Sequence, residues 1–204
     1  MVRPGVSQVQ SRRLFSNAFL EKFTHVHPIT PILLWGPVVS VLLYRGFSGG
    51  QLGVAVVLAW VLGGILTWSL AEYLIHRFVF HFVARRLFLK RVVYLFHGIH
   101  HDQPDDPTRL VMPPIAGVLL AVFFFTLFRV FLGSVFVVPF FAGFLLGYLG
   151  YDYTHYYIHH FIPRTAVGKF LKAHHMKHHY MLKGAKWGVS SPLWDYTFRT
   201  MKER

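Results

Sequence analysis

Cysteine is absent from the 204 residues. Its absence excludes disulfides, iron–sulfur clusters and thiolate-bound haem, so any metal must be held by nitrogen or oxygen donors. Acidic residues are scarce, 8 against 21 Lys and Arg, and none precedes Glu21. Charged residues of both signs make up only 14 %, beside 54 % hydrophobic residues and 21 Phe. That is too little charge to cover an ordinary soluble surface, so a membrane protein of one domain is the expectation. The net charge of +13 then reads as a match for anionic lipid headgroups, with no nucleic-acid partner. Residues 1–28 hold Arg3, Arg12, Arg13 and Lys22 but no continuous apolar core. They are expected to form a basic cytosolic tail and not a cleavable signal.

Apolar runs divide the remainder, residues 29–204, into a single membrane domain. Spans are predicted at about 29–46, 52–75, 110–129 and 133–154, because about 20 apolar residues suffice to cross a bilayer once. The third and fourth come from one stretch, Leu110 to Tyr151, whose only charge is Arg129. A turn is expected between Arg129 and Ser134, where Gly133 lies. Nineteen of the 21 Lys and Arg fall before the first span, between His76 and Arg109, or after Phe161, whereas Arg45 and Arg129 mark the two hairpin tips. The positive-inside rule therefore predicts both termini, and a cap formed by 76–109 and 155–204, on the cytosolic side. Within the cap, Phe82 to Phe96 interleaves Arg85, Arg86, Lys90 and Arg91 with apolar residues and predicts an interfacial helix. The fold class is thus all-α and integral to the membrane, with four transmembrane helices in two hairpins.

Histidine is abundant where charge is not. Of 14 histidines, twelve fall in four clusters: His76 and His81; His97, His100 and His101; His155, His159 and His160; His174, His175, His178 and His179. None lies mid-span. Residues three or four apart on a helix share a face, so His97/His100/His101, His155/His159 and His175/His178/His179 can each aim imidazoles at one point. His76 and His81 are five apart, which a straight α-helix serves poorly, and the helix is expected to loosen or end between them. Ten such nitrogens suit iron or zinc and exceed the roughly six positions of one octahedral ion, so two metals are implied.

These residues resemble the histidine boxes of the fatty acid hydroxylase superfamily, and most of all those of fatty acid 2-hydroxylases. The first box is similar to Glu72-Tyr73-Leu74-Ile75-His76-Arg77-Phe78-Val79-Phe80-His81. The second is His97-Gly98-Ile99-His100-His101, followed by Arg109-Leu110-Val111-Met112-Pro113-Pro114. The third is Tyr151-Asp152-Tyr153-Thr154-His155-Tyr156-Tyr157-Ile158-His159-His160. The fourth is His175-Met176-Lys177-His178-His179-Tyr180 with Gly188-Val189-Ser190-Ser191-Pro192-Leu193-Trp194-Asp195-Tyr196. The resemblance implies ten metal ligands: His76, His81, His97, His100, His101, His155, His159, His175, His178 and His179. It leaves His160 and His174 as supporting or surface residues, and His25 and His27 outside the boxes. Some family members carry a haem domain with a His-Pro-Gly-Gly signature, whereas here His27-Pro28 is followed by Ile29-Thr30. A separate electron-donor protein is therefore expected.

The implied activity is O2-dependent hydroxylation of a lipid acyl chain, with iron as the working metal and zinc a possible occupant of a purified sample. Metals at the cytosolic ends of the spans would meet the first carbons of a lipid, which favours the 2-position of a fatty acid or of an amide-linked acyl group. Glu72, four residues before His76, and Asp152, three before His155, are placed to accept imidazole N–H groups. Tyr148 and Tyr151 are expected to line the substrate entrance, and Asp195 to be structural. The rival readings are a sterol- or carotenoid-type hydroxylase or desaturase of the same superfamily, a metal transporter or storage protein, and a zinc hydrolase. A bacterial inner membrane and an endoplasmic reticulum fit equally.

Overall fold

The computed structural model describes residues 11–181 and 184–201. Arg3, Lys183, Lys202 and Arg204, which entered the charge count, lie outside the described residues. Helices form all the regular structure among the described residues, without a β-strand. The chain divides into two compact units, Ile29–Leu70 with Met112–Gly150, and Met1–Pro28 with Ala71–Val111 and Tyr151–Arg204.

The first unit is apolar and built from two helical hairpins. In the first hairpin, α2 (Thr30–Ser48) begins with Pro31, whose missing N–H costs nothing in a first turn. The chain reverses at Gly49-Gly50, with Gly50 at φ 64°, and continues into α3 (Val54–Ile75), whose residues to Leu70 belong here. The second hairpin is α6 (Pro114–His160), which is broken at Gly133, where φ is 71° and ψ −178°. That region is closed to a side chain bearing Cβ, so glycine permits the reversal here, inside the predicted turn. The arms on either side of Gly133 meet through Phe124–Phe144, Phe125–Phe141 and Phe128–Phe140, with ring centroids 4.9–5.1 Å apart. The second arm lies directly on α3: a Cβ at Gly143 would sit 1.9 Å from the Val61 carbonyl oxygen. Close backbone approach through small residues is how helices associate where no water drives them together.

Among the described residues, three helices are long and apolar enough to cross a membrane: Thr30–Ser48, Val54–Phe80 and Pro114–His160. Their large apolar side chains point outward, among them Leu33, Leu62, Leu119 and Phe131. In a water-soluble protein this surface would be a large unpaired patch. In lipid it is the surface that requires no partner.

The second unit holds short helices around a polar centre. They are α1 (Ala18–Lys22), α4 (Leu87–Val93), α5 (Ile99–Asp102), α7 (Ala166–Tyr180) and α8 (Leu193–Thr197). The end of α3 and the end of α6 complete it. The interfacial helix expected over Phe82 to Phe96 begins later, at Leu87 with α4, and runs on through a π-turn at Tyr94–Gly98; ahead of it Val83 is 88 % exposed, and within it Phe88 is 73 % exposed. Residues 11–26 are fastened to the loop after α5. Arg109, almost wholly buried, donates to Glu21 Oε1 at 2.7 Å, Ser11 Oγ at 2.8 Å, the Arg12 carbonyl at 2.9 Å and Thr24 Oγ1 at 3.0 Å. Val26 N–H adds a bond of 2.7 Å to the Thr108 carbonyl. Burial works against the Glu21 carboxylate, but the N–H groups of Phe15 and Leu14 and the Arg109 guanidinium outweigh it and hold its pKa at about 2.

Candidate metal centre

The ten box histidines gather in the second unit as two groups of five. His76, His81, His97, His101 and His178 form one, and His100, His155, His159, His175 and His179 the other. In each group one candidate donor atom per residue lies within 4.8 Å of all the others.

Local structure explains how the chain delivers them. Directly after α3, residues His76–Phe80 form a π-helical turn, closed by the bond from His81 N–H to the His76 carbonyl at 3.2 Å. An i→i+5 turn widens the helix by one residue. It thereby stacks residues five apart, which is the loosening that the His76/His81 spacing calls for. A second π-turn, Tyr94–Gly98, introduces His97 and runs into α5. His97 and His101 join one group while His100 turns to the other, as the helical spacing of the three residues allows. On α6, His155 and His159 are one turn apart and both face the second group. Lys172 caps that helix end, its ammonium donating to the carbonyl of Ile158 and, at 3.0 Å, to that of Phe161. On α7, Thr165 caps the N-terminus by accepting from Gly168 N–H at 3.1 Å. This helix sends His175 and His179 to the second group and His178 to the first.

The imidazoles meet tip to tip. In the first group, Nε2 to Nε2 separations are 3.0 Å for His76–His97, 3.0 Å for His97–His101 and 3.1 Å for His81–His178. In the second they are 2.8 Å for His155–His175, 3.0 Å for His175–His179 and 3.1 Å for His100–His179. Nitrogens at about 2.1 Å from one ion lie about 3.0 Å apart when they subtend 90°, and about 3.4 Å apart at the tetrahedral angle. The observed spacings are those of neighbouring nitrogens on one ion, and five donors exceed the four of a tetrahedral site. Five imidazoles also leave one octahedral position open. The buried Nε2 of His159 has no hydrogen-bond partner among the described residues, and a coordinated ion would satisfy it.

Charge state agrees with this geometry. Burial, with repulsion from His178, holds His81 at about 4, and burial with His178 and His81 holds His101 at about 3. Burial likewise keeps His97, His100 and His175 well below the usual imidazole value, with their histidine neighbours adding to the effect. The rings are thus neutral at pH 7, and a neutral ring presents the lone pair a metal needs. The two groups adjoin where the rings of His101 and His179 stack, with centroids 4.1 Å apart.

A loop from the chain's far end orients the first group. His76 Nδ1–H donates to the Trp187 carbonyl, and His178 Nδ1–H donates to the Ala185 carbonyl at 3.0 Å. Each bond fixes the tautomer that leaves Nε2 free. Two buried carboxylates hold the loop in turn. Asp195 accepts from Trp187 N–H at 2.9 Å and Gly188 N–H at 2.8 Å, and also bonds His174 Nε2 at 3.1 Å and Thr200 Oγ1 at 2.6 Å. Burial raises the Asp195 pKa, but these donors prevail and keep it below the usual carboxylate value. Glu72 accepts from Val189 N–H at 2.6 Å, Ser190 N–H at 2.9 Å and the Ser190 hydroxyl.

Glu72 was expected to take an imidazole N–H directly. It binds backbone instead, because the Trp187 carbonyl already occupies the His76 Nδ1 position and the Val189–Ser190 amides converge on the carboxylate. Asp152 is buried on α6, three residues before His155, but the expected bond to that ring is not made, since His155 Nδ1 has no hydrogen-bond partner among the described residues. Tyr151 is buried as well, with its ring 5.6 Å from that of His155. Tyr148 belongs to the apolar unit, where its ring meets Trp35 at 6.4 Å and Trp68 at 5.2 Å. His174 is a buried partner of Asp195. His25, left outside the boxes, bonds Thr108 Oγ1 at 2.7 Å and joins the Arg109 network. Sequence reasoning missed the carbonyls of Ala185 and Trp187, since a backbone acceptor leaves no mark in residue type. It also missed Lys172, which reads as one more surface cation.

Residues 61–200 match the profile of the fatty acid hydroxylase family. The chain belongs to this family. A dihydroceramide fatty acyl 2-hydroxylase of Arabidopsis thaliana is 36 % identical over 197 residues, which are 95 % of this chain and 81 % of that protein. The fatty acid 2-hydroxylase of Rattus norvegicus is 35 % identical over 93 % of this chain and 56 % of its own length. Among solved structures, the hydroxylase domain visible in full-length scs7p superimposes with a TM-score of 0.87 at 33 % identity, covering 93 % of this chain and 72 % of that one. Fatty acid hydroxylases are oxidoreductases of lipid metabolism, and both the apolar unit and the histidine groups agree with that membership.

Proposed function

We propose that this fatty acid hydroxylase inserts oxygen from O2 at the 2-position of a lipid acyl chain, free or amide-linked as in a ceramide, with one iron ion in each histidine group. The observation that carries the reading is the pair of five-imidazole groups with Nε2 separations of 2.8–3.1 Å. The ligands are His76, His81, His97, His101 and His178 for one ion, and His100, His155, His159, His175 and His179 for the other. When bound, the metal pair supplies the dioxygen activation that no side chain provides unaided. Zinc binds imidazole more tightly than iron in the divalent affinity order but cannot change oxidation state, so zinc in a purified sample would mark an inactive form.

The protein's own part is positional. Carbonyls of the 185–187 loop hold His76 and His178 in one tautomer, and Glu72 and Asp195 support that loop. Tyr148 and Tyr151 line the approach of the acyl chain. One oxygen atom enters the C–H bond and the other leaves as water, which requires two electrons and two protons. A separate donor protein supplies the electrons. The apolar helices form four crossings, with α6 counted twice about Gly133, and both termini and the histidine unit face the cytosol of a bacterial inner membrane or its equivalent in the endoplasmic reticulum. Substrate then meets the metals near its headgroup, which favours carbon 2. The 2-hydroxylase names of the relatives support the same position.

Expression in a host that lacks 2-hydroxylated lipids tests the reading. Lipid mass spectrometry should find acyl groups heavier by one oxygen at carbon 2 with the wild type, and none with His100→Ala. Identical lipid profiles from both would overturn it.

A further inference from the structure

The 81 residues of the apolar unit contain only two ionised side chains, Arg45 and Arg129. Both line one cavity of about 380 Å³ at the hairpin turns, a size within the range of small-molecule sites. The unit has no Asp, Glu, Lys or His to balance them, and neither guanidinium makes an ion pair or hydrogen bond among the described residues. Both residues are exposed, so their ten N–H donors, without an acceptor on the protein among the described residues, are open to an acceptor from outside. The rest of the wall is mixed: Gln51 and Ser134 add polar groups, while Leu52, Phe125 and Val137 are apolar.

We infer that this cavity binds the phosphate of an anionic phospholipid. Guanidinium groups match phosphate oxygens in paired hydrogen bonds, and the apolar wall suits the glycerol and first methylenes of a lipid, for which a free phosphate ion has no use. The site shares no residue with the histidine groups.

Native mass spectrometry of the detergent-solubilised full chain, exposed to phosphatidylglycerol, phosphatidylcholine or inorganic phosphate, reads the inference out. The wild type should retain one phosphatidylglycerol through detergent exchange and gain thermal stability from it. Arg45→Gln/Arg129→Gln should lose that retention by roughly tenfold or more, while Arg45→Lys/Arg129→Lys, which keeps the charge, retains an intermediate share. Helical circular dichroism and an unchanged lipid hydroxylation product would show the glutamine variant folded; a misfolded variant moves the comparison to the single substitutions. Equal retention by wild type and the glutamine variants would overturn the site. Equal retention of phosphatidylcholine would overturn the requirement for net negative charge, and equal stabilisation by inorganic phosphate would overturn the lipid as its source. Because the readout is lipid retention, its failure is separate from any failure of the hydroxylase reading.

Discussion

His100 and Asp195 act at different distances from the metal positions, and substitution separates their roles. His100 faces the second group, so His100→Ala should lower the metal content of the loaded protein by about one ion per chain while leaving the first group able to bind. Metal analysis by mass spectrometry checks this, and loss of both ions would refute independent sites. Asp195 touches no candidate metal position. It holds Trp187 and Gly188 through their N–H groups, and Trp187 in turn accepts from His76. Asp195→Asn keeps the size but loses charge and one pair of acceptor sites, so it should weaken metal binding in the first group by about 10- to 100-fold, the usual effect of losing a supporting partner. Competition with a chelator measures it, and an unchanged affinity would show the loop carbonyl to be dispensable.

Among the elements, the crossing of α3 with the second arm of α6 depends on one missing side chain. A Cβ at Gly143 would stand 1.9 Å from the Val61 carbonyl oxygen, and the obstructing atom is backbone that cannot swing aside. Gly143→Ala should therefore lower the thermal midpoint in detergent, with a cost of about 1–3 kcal/mol for overpacking, while Gly50→Ala, whose Cβ meets nothing within 4 Å, pays mainly for its positive φ. Elements of this kind were legible in part. The turn between Arg129 and Ser134 was readable because Gly133 and the lone charge punctuate an apolar run. The opening of the helix between His76 and His81 was readable because five residues do not fit a 3.6-residue turn. Which histidine serves which group was not readable. His97, His100 and His101 share one short stretch but divide between two groups, and only the approach of α6 and α7, far away in the chain, decides the division. The same holds for the 185–190 loop, whose contribution comes from carbonyls and amides.

At the scale of the whole molecule, pH bears on the metal-free protein through its many buried imidazoles. His81 and His101 are held at about 4 and about 3 when folded, below the 6.5 of an unfolded chain. Between those values the unfolded state takes up protons that the folded state refuses, so stability is fully present above pH 6.5 and declines as pH falls toward 4. Glu21, held at about 2, acts in the same direction, its contribution being lost from about pH 4.5 downward. Thermal melts of chelator-treated protein between pH 8 and pH 4 should show a falling midpoint, and a flat profile would mean that the imidazoles protonate without resistance. Metal loading should raise the midpoint most near neutral pH, since bound ions stabilise by mass action only while their ligands are deprotonated.

The bond from His76 to the Trp187 carbonyl joins positions 111 residues apart, and this distance orders events at the ribosome. Four imidazoles of the first group emerge early, but His178 and the carbonyl that aligns His76 follow roughly 5 to 20 s later at about 5–20 residues per second. A nascent polypeptide that has reached only His101 therefore offers only a partial claw, and the first group is complete only once the stretch from His178 to Trp187 has been added.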